Sequence, residues 1–188
     1  TWVFDLDNTL YHPSAGLFAQ MNPRMSDYVM RVAGVDRARA DVLREQYWRD
    51  HGSTLAGRMA EYDMGPNDFL LGGHEIDLSH LEEDAALSIA IGRLPGRKIV
   101  YTNGTAPYAG RVIAARGLNG VFDAVYGIEH ADFTPKPSAA GFARVFGRDG
   151  VVPARAAMFE DEARNLAVPH ELGMRTIHVH DIAETGAH

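Results

Sequence analysis

Apolar and polar positions follow two different periods along this chain. It opens on a short aromatic and β-branched run, Trp2-Val3-Phe4, which predicts a buried strand. A turn-rich stretch from Asn8 to Gly16 follows, containing Pro13 and Gly16. From about Leu17 to Leu71 apolar residues recur at helical spacing, broken at Gly34, Gly52 and Gly65-Pro66. Leu81, Ala85, Leu87, Ile89 and Ile91 predict a further amphipathic helix, stopped near Gly92 and Pro95. After Leu94 strands and helices alternate. Lys98–Tyr101 predicts a strand, Pro107–Arg116 a helix ending at Gly117, and Ala124–Tyr126 a strand. Ser138–Phe146 predicts a helix closed by Gly147 and Ala156–Phe159 a strand. Ala163–Leu172 then predicts a helix closed by Gly173, and Arg175–Val179 a last strand.

Strands separated by short helices predict a parallel sheet covered on both faces. About 90 residues separate the first two strands, whereas a simple βαβ step needs about 30. The excess is helical. The expected architecture is therefore α/β, a Rossmann-like parallel sheet with a helical cap inserted after strand 1. The core would comprise 1–14 and 93–188 and the cap 15–92, whose last helix fits either part. Such a cap would sit over the C-terminal edge of the sheet, where open α/β folds bind ligands.

Composition narrows the function. A hydrophobic content of 46% with 23% charged residues is ordinary for a soluble globular chain. A net charge of -7 without any basic run argues against a nucleic acid polymer as partner. The absence of cysteine excludes disulfides and thiolate metal sites. No apolar stretch approaches the roughly 18–20 residues of a membrane span, and no secretory pattern is present, so no membrane partner and a cytoplasmic location are expected. Because the chain starts inside an apolar run, a few native residues are expected before Thr1, and the His-rich C-terminal end reads as truncated.

The chemistry concentrates where strands give way to loops. Asp5 and Asp7 follow the first strand two residues apart, so both would face one cleft. Carboxylates about 5–7 Å apart repel by roughly 2–3 kcal/mol at an effective dielectric of about 20, a cost that a dication reverses. An EF-hand is excluded, since Leu10 and Gly16 stand where Gly and Glu are required. Thr102 and Asn103 follow the second strand and offer a hydroxyl and backbone N–H groups near a helix start, either a phosphate site or a plain N-cap. Lys136 stands between Pro135 and Pro137, which restrict its backbone and would aim the ammonium, unless the loop is merely solvated. Glu160-Asp161 brings two more acids to the sheet edge, or else simply starts a helix.

Taken in this order, the motifs Asp5-Leu6-Asp7-Asn8-Thr9-Leu10, Thr102-Asn103, Lys136 and Glu160-Asp161 resemble the haloacid-dehalogenase-like phosphatase superfamily over nearly the whole chain. The resemblance implies a Mg²⁺-dependent phosphomonoester hydrolase acting on a small phosphorylated metabolite. Asp5 would be the nucleophile that becomes an aspartyl-phosphate, and Asp7 the acid and then the base. Mg²⁺ would be held by Asp5, the backbone carbonyl of Asp7, and Asp161, with Glu160 orienting a metal-bound water. Thr102, the Asn103 backbone and Lys136 would hold phosphate oxygens.

Finer similarity points to the pyrimidine 5′-nucleotidase branch. It rests on Asn8 and Tyr11, on the cap stretch from Tyr47 to Gly57, and on Glu160 to Leu166, where Glu162 replaces the usual Ser. The substrates implied are pyrimidine nucleoside 5′-monophosphates. Other readings on the same motifs are a sugar phosphate or phosphoglycolate phosphatase, a phosphomutase, or a catalytically silent capped binding module. Dehalogenation would require neither an acid at Asp7 nor a metal. Among the histidines, His51 is a candidate substrate contact in the cap, whereas His178 and His180 fit exposed alternation at a strand end. Met21, Met25 and Met30 fit helix packing, and the spacing from Gly92 to Lys98 is wrong for a P-loop.

Overall fold

The computed structural model describes residues 1–51 and 73–180. Strands β1 (Trp2–Phe4), β2 (Lys98–Tyr101), β3 (Ala124–Tyr126), β4 (Ala157–Glu160) and β5 (Arg175–His178) form one sheet in the order β3-β2-β1-β4-β5. Every neighbouring pair is parallel. Successive strand residues face opposite sides. Phe4 and Val100 therefore join one apolar cluster, with Leu10, Tyr108, Val112 and Leu118. Val3, Ile99 and Met158 join the other, with Phe142, Val145 and Phe146. Burial on both faces explains why the strands read as continuous apolar runs. Phe4 stacks on Phe159 across β1 and β4, with ring centroids 4.7 Å apart.

The helices are α1 (Leu17–Ala33), α2 (Arg37–His51), α3 (Ala85–Gly92), α4 (Ala106–Ala115), α5 (Ala139–Asp149) and α6 (Ala167–Glu171). Helix α1 ends at Gly34, whose φ of 66° lets its N–H close back on the Met30 carbonyl. It packs against α2, joins the cluster around Phe4 through Leu17 and Met21, and meets Ile128 through Tyr28. Helix α3 is anchored at its start: the Asp84 side chain caps the Leu87 N–H at 2.8 Å and pairs with Arg116 at 2.8 Å. Its Ile91 packs in the cluster that holds Phe4.

Several expected boundaries move. Helix α5 runs through Gly147 and closes at Gly150, whose φ is 77° and whose N–H bonds to Phe146. Leu81 lies outside α3, which starts only after the Asp84 cap. The segment expected as one helix over Ala163–Leu172 is a 3-10 turn, Ala163–Leu166, followed by α6. Pro169 lacks the N–H that would bond to the Asn165 carbonyl, so no continuous α ladder can run through it. A 3-10 turn at Ile128–Ala131 was not expected; it leads into Asp132 and Phe133, both with left-handed φ. The breaks at Gly52 and Gly65-Pro66 and the expected helix end at Leu71 lie outside the described residues, as does the His-rich end after His180. No helix among the described residues is long and apolar enough to cross a membrane.

Candidate active site

The strand order makes β1 and β4 neighbours, and the chain leaves them in opposite directions across the sheet. Ligands bind at such a switch point, beyond the C-terminal strand ends. Asp5 follows β1, and its N–H bonds to the Phe159 carbonyl of β4 at 2.9 Å, which places it beside Glu160. Asn8 turns the chain back with a φ of 60°, a left-handed conformation that Asn tolerates better than most residues. One cavity of about 420 Å³ is lined by Asp5, Asp7, Thr102, Asn103, Lys136, Glu160 and Asp161. All the core residues singled out in the sequence meet there.

Lys136 is 1% exposed, so it is a buried cation and not a solvated loop residue. Its ammonium donates to Asp5 Oδ1 and Glu160 Oε2, both at 2.6 Å, and to the Tyr101 carbonyl at 3.1 Å. Its backbone is fixed by the Asn103 carboxamide, which accepts from the Lys136 N–H at 2.8 Å and donates to its carbonyl at 3.1 Å. Burial alone would lower the Lys136 pKa, but Asp5 and Glu160 more than reverse this and raise it.

Asp5 and Glu160 share that ammonium, and Asp7 and Asp161 line the same cavity. Burial and then the neighbouring Glu160 push Asp5 well above the usual carboxylate range, although Lys136 pulls the other way. Asp161 is pushed up to about 7, first by burial and then by Glu160. Carboxylate oxygens of Asp5, Glu160 and Asp161 lie within 4.8 Å of one another. Hard oxygen donors at this spacing, with an excess of negative charge, suit a divalent cation such as Mg²⁺. Glu160 also accepts the Glu162 N–H at 3.2 Å, so Lys136 and this loop already fix both its oxygens.

Asp7 stands apart from that trio. Its Oδ1 accepts the hydroxyls of Tyr11 at 2.6 Å and Tyr108 at 2.7 Å. Burial raises its pKa and the two tyrosine bonds oppose the rise, with a net upward shift. The sequence reading missed both phenols in this role. Tyr11 was legible four residues after Asp7, but nothing linked Tyr108 to it across 101 residues.

Thr102 is buried, and its hydroxyl accepts the Gly104 N–H at 2.9 Å while its own N–H serves the Tyr126 carbonyl. Helix α4 starts later than the motif. Its first N–H groups are taken by Glu129, which accepts from Ala106 at 2.9 Å, and by Thr105, which accepts from Tyr108 at 3.3 Å. The loop at Thr102–Gly104, and not the helix end, therefore lines the cavity.

From α1 and α2, Phe18, Met21, Met25 and Trp48 provide apolar wall, with Arg44 and Arg164 beside them. Arg164 stacks over the Trp48 ring at 3.9 Å, joining the loop after β4 to α2. The side chain of His51 and the stretch from Gly52 to Gly57 lie outside the described residues. His178 is exposed at the end of β5 and bonds to the Asp161 carbonyl at 2.8 Å.

No protein-family model matches the chain. Among curated proteins it is 25% identical over 191 residues to phosphate metabolism protein 8 of Saccharomyces cerevisiae, which covers 92% of this chain. The chain spans only 59% of that relative's length. Among solved structures, a phosphatase of the haloacid-dehalogenase class from Thermococcus onnurineus superposes with a TM-score of 0.59 at 18% identity, covering 96% of this chain and 86% of its own. L-2-haloacid dehalogenase from Xanthobacter autotrophicus gives 0.56 at 19% identity, covering 95% and 76%. The fold is thus α/β and haloacid-dehalogenase-like. The branch within that fold is a matter for its side chains.

Proposed function

We propose that the protein is a Mg²⁺-dependent phosphomonoester hydrolase that works through an aspartyl-phosphate on Asp5. The observation that carries this reading is the convergence of Asp5, Asp7, Lys136 and Asp161 on one cavity at the switch point of the sheet. Asp5 Oδ1 is engaged by Lys136, which leaves Oδ2 as the attacking oxygen. As the Asp5–phosphorus bond forms and the ester P–O bond breaks, the leaving oxygen takes a proton from Asp7. Water then attacks the phosphorus, returns a proton to Asp7, and frees Asp5 and inorganic phosphate. The two displacements replace one difficult step. Oδ1 of Asp7 is occupied by two phenols, so Oδ2 carries the proton, and its raised pKa helps Asp7 keep it.

Asp5, Asp161 and the Asp7 carbonyl would hold Mg²⁺, with Glu160 fixing the site through Lys136 and the loop after β4. Bound there, the ion supplies charge neutralisation for the like-charged encounter of carboxylate and phosphate. The Thr102–Asn103 loop holds the phosphate oxygens, and Lys136, whose three N–H groups are engaged by Asp5, Glu160 and the Tyr101 carbonyl, adds its positive charge beside them. A dehalogenase would need neither Asp7 nor this acidic cluster. The substrates proposed are pyrimidine nucleoside 5′-monophosphates, on the similarity at Asn8, Tyr11 and the cap, and the apolar wall of Phe18 and Trp48 suits a flat ring.

The decisive assay is hydrolysis of p-nitrophenyl phosphate with and without Mg²⁺, in the wild type and in Asp5→Asn. Metal-dependent turnover that Asp5→Asn abolishes is expected; activity retained in that variant refutes the covalent route. A panel of nucleoside monophosphates and sugar phosphates then tests the substrate.

A further inference from the structure

His74 lies just ahead of the segment leading into α3, and the reaction described above does not use it. It is buried, yet it lines the same cavity as Asp5 and Asp7. Its ring lies parallel to that of Tyr108, with centroids 4.4 Å apart and planes 9° from each other. Its carbonyl accepts from the Arg111 guanidinium, which pins the backbone to α4. The ring is therefore held against the residue whose hydroxyl grips Asp7.

The hydrogen bonds around it accommodate a tautomer with its proton on Nε2. Thr105 Oγ1 already accepts the Tyr108 N–H, and it lies 3.4 Å from His74 Nδ1. In the tautomer in which Nδ1 accepts the Thr105 hydroxyl, the imidazole proton sits on Nε2, the nitrogen that Thr105 does not engage. Burial, and then the nearby Arg111 charge, lower the His74 pKa to about 4, so the ring stays neutral at ordinary pH. A neutral imidazole presents one directional N–H without adding charge beside the phosphate.

We infer that His74 is a specificity-determining residue: its Nε2–H donates to an oxygen on the alcohol half of the substrate, selecting phosphomonoesters whose leaving group carries a hydroxyl, ether or carbonyl acceptor. This rests on the phosphohydrolase reading of the same cavity. Such a site discriminates because a donor that the bound substrate shields from water goes unpaired when the acceptor is missing. The stack on Tyr108 sets the donor at a fixed place relative to Asp7, so recognition and proton transfer share one rigid frame.

The test compares ribose 5-phosphate, rich in acceptor oxygens, with phenyl phosphate, which offers none beyond the bridging oxygen. His74→Phe keeps the ring stack and removes the donor; His74→Gln restores an N–H. The ratio of kcat/KM for ribose 5-phosphate over phenyl phosphate is expected to fall about tenfold in His74→Phe, mainly through KM, and to recover in part in His74→Gln. An unchanged ratio, or equal losses on both esters, overturns the inference. A second measurement does not depend on turnover. In Asp5→Asn with Mg²⁺, ribose 5-phosphate should shift the His74 Nε2–H resonance in a ¹H–¹⁵N spectrum and phenyl phosphate should not. Equal shifts, or none, overturn the role of His74. Inactivity of the wild type on both esters defeats the phosphohydrolase reading and leaves the resonance to decide the binding role.

Discussion

Lys136 and Asp5 are 131 residues apart in sequence, and the ammonium of one donates to the carboxylate of the other at 2.6 Å in a buried setting. The same ammonium reaches Glu160 at 2.6 Å, so it bridges the ends of two adjacent strands. Burial this complete means that the pair is held by mutual dependence. Removing the ammonium leaves the buried Asp5 and Glu160 without the cation between them, whereas removing Asp5 leaves Lys136 paired with Glu160.

Lys136→Met is therefore expected to destabilise the metal-free protein by about 3–5 kcal/mol, as is typical when a buried ion pair loses one partner. Asp5→Asn should be far milder, because Lys136 keeps Glu160 and one crowded carboxylate is gone. Urea unfolding of both variants in EDTA checks this. Equal destabilisation would show that Lys136 is not the keystone of the cluster.

The two phenols on Asp7 give a second prediction. Each hydrogen bond favours the ionised carboxylate, so Tyr11→Phe or Tyr108→Phe raises the Asp7 pKa further. Asp7 must be ionised to activate water. The limb of the kcat–pH profile that rises with pH should thus move alkaline, by about one unit for a bond to a charged group. Assayed with p-nitrophenyl phosphate, whose leaving group needs little acid, an unmoved limb would separate the tyrosines from Asp7's chemistry.

How much of this was legible beforehand depends on the range of the interaction. The strands and the residues just after them were readable because apolar runs and following acids are local: Phe4 then Asp5, Phe159 then Glu160. Lys136 was readable as a constrained residue from its flanking prolines, but its burial depends on Asn103 and Glu160, which only the folded sheet brings near. The Asp7 phenols and His74 were hidden for the same reason. Tyr108 lay inside the expected helix Pro107–Arg116 with nothing to mark it, and His74 fell between Leu71 and Leu81, where no element was assigned. The boundary errors have local causes, an Asp84 cap and a Pro169 whose consequences the apolar pattern does not record.

Gly141 offers a prediction about how Lys136 is delivered. A Cβ built there would lie 2.4 Å from the Thr134 carbonyl, in the loop that carries Lys136 two residues later. Contact at that distance forces backbone to move, not a flexible side-chain end. Gly141→Ala should therefore cost about 1–3 kcal/mol of stability through overpacking and lower kcat as well, by displacing the ammonium. Denaturant titration together with turnover checks both parts. A stable, fully active variant would mean that helix α5 and this loop separate easily.

Asp161 supplies the pH dependence. Its carboxyl, pushed up to about 7 from an ordinary value of 3.8, binds its proton more tightly in the folded than in the unfolded chain. That contribution to stability is complete below about pH 4 and is lost as pH rises through 7. Asp161→Asn cannot titrate and does not lose it. In EDTA the melting temperature of the variant should therefore climb relative to wild type between pH 4 and 7. Adding Mg²⁺ at pH 7.5 should reverse the order, because binding to the folded state stabilises the wild type by about 2.7 kcal/mol at a hundred times Kd. The variant, short of one ligand, should gain much less. Thermal melts across pH, with and without the ion, decide the matter. Parallel curves in EDTA would deny the carboxylate crowding, and equal stabilisation by Mg²⁺ would remove Asp161 from the ligand set.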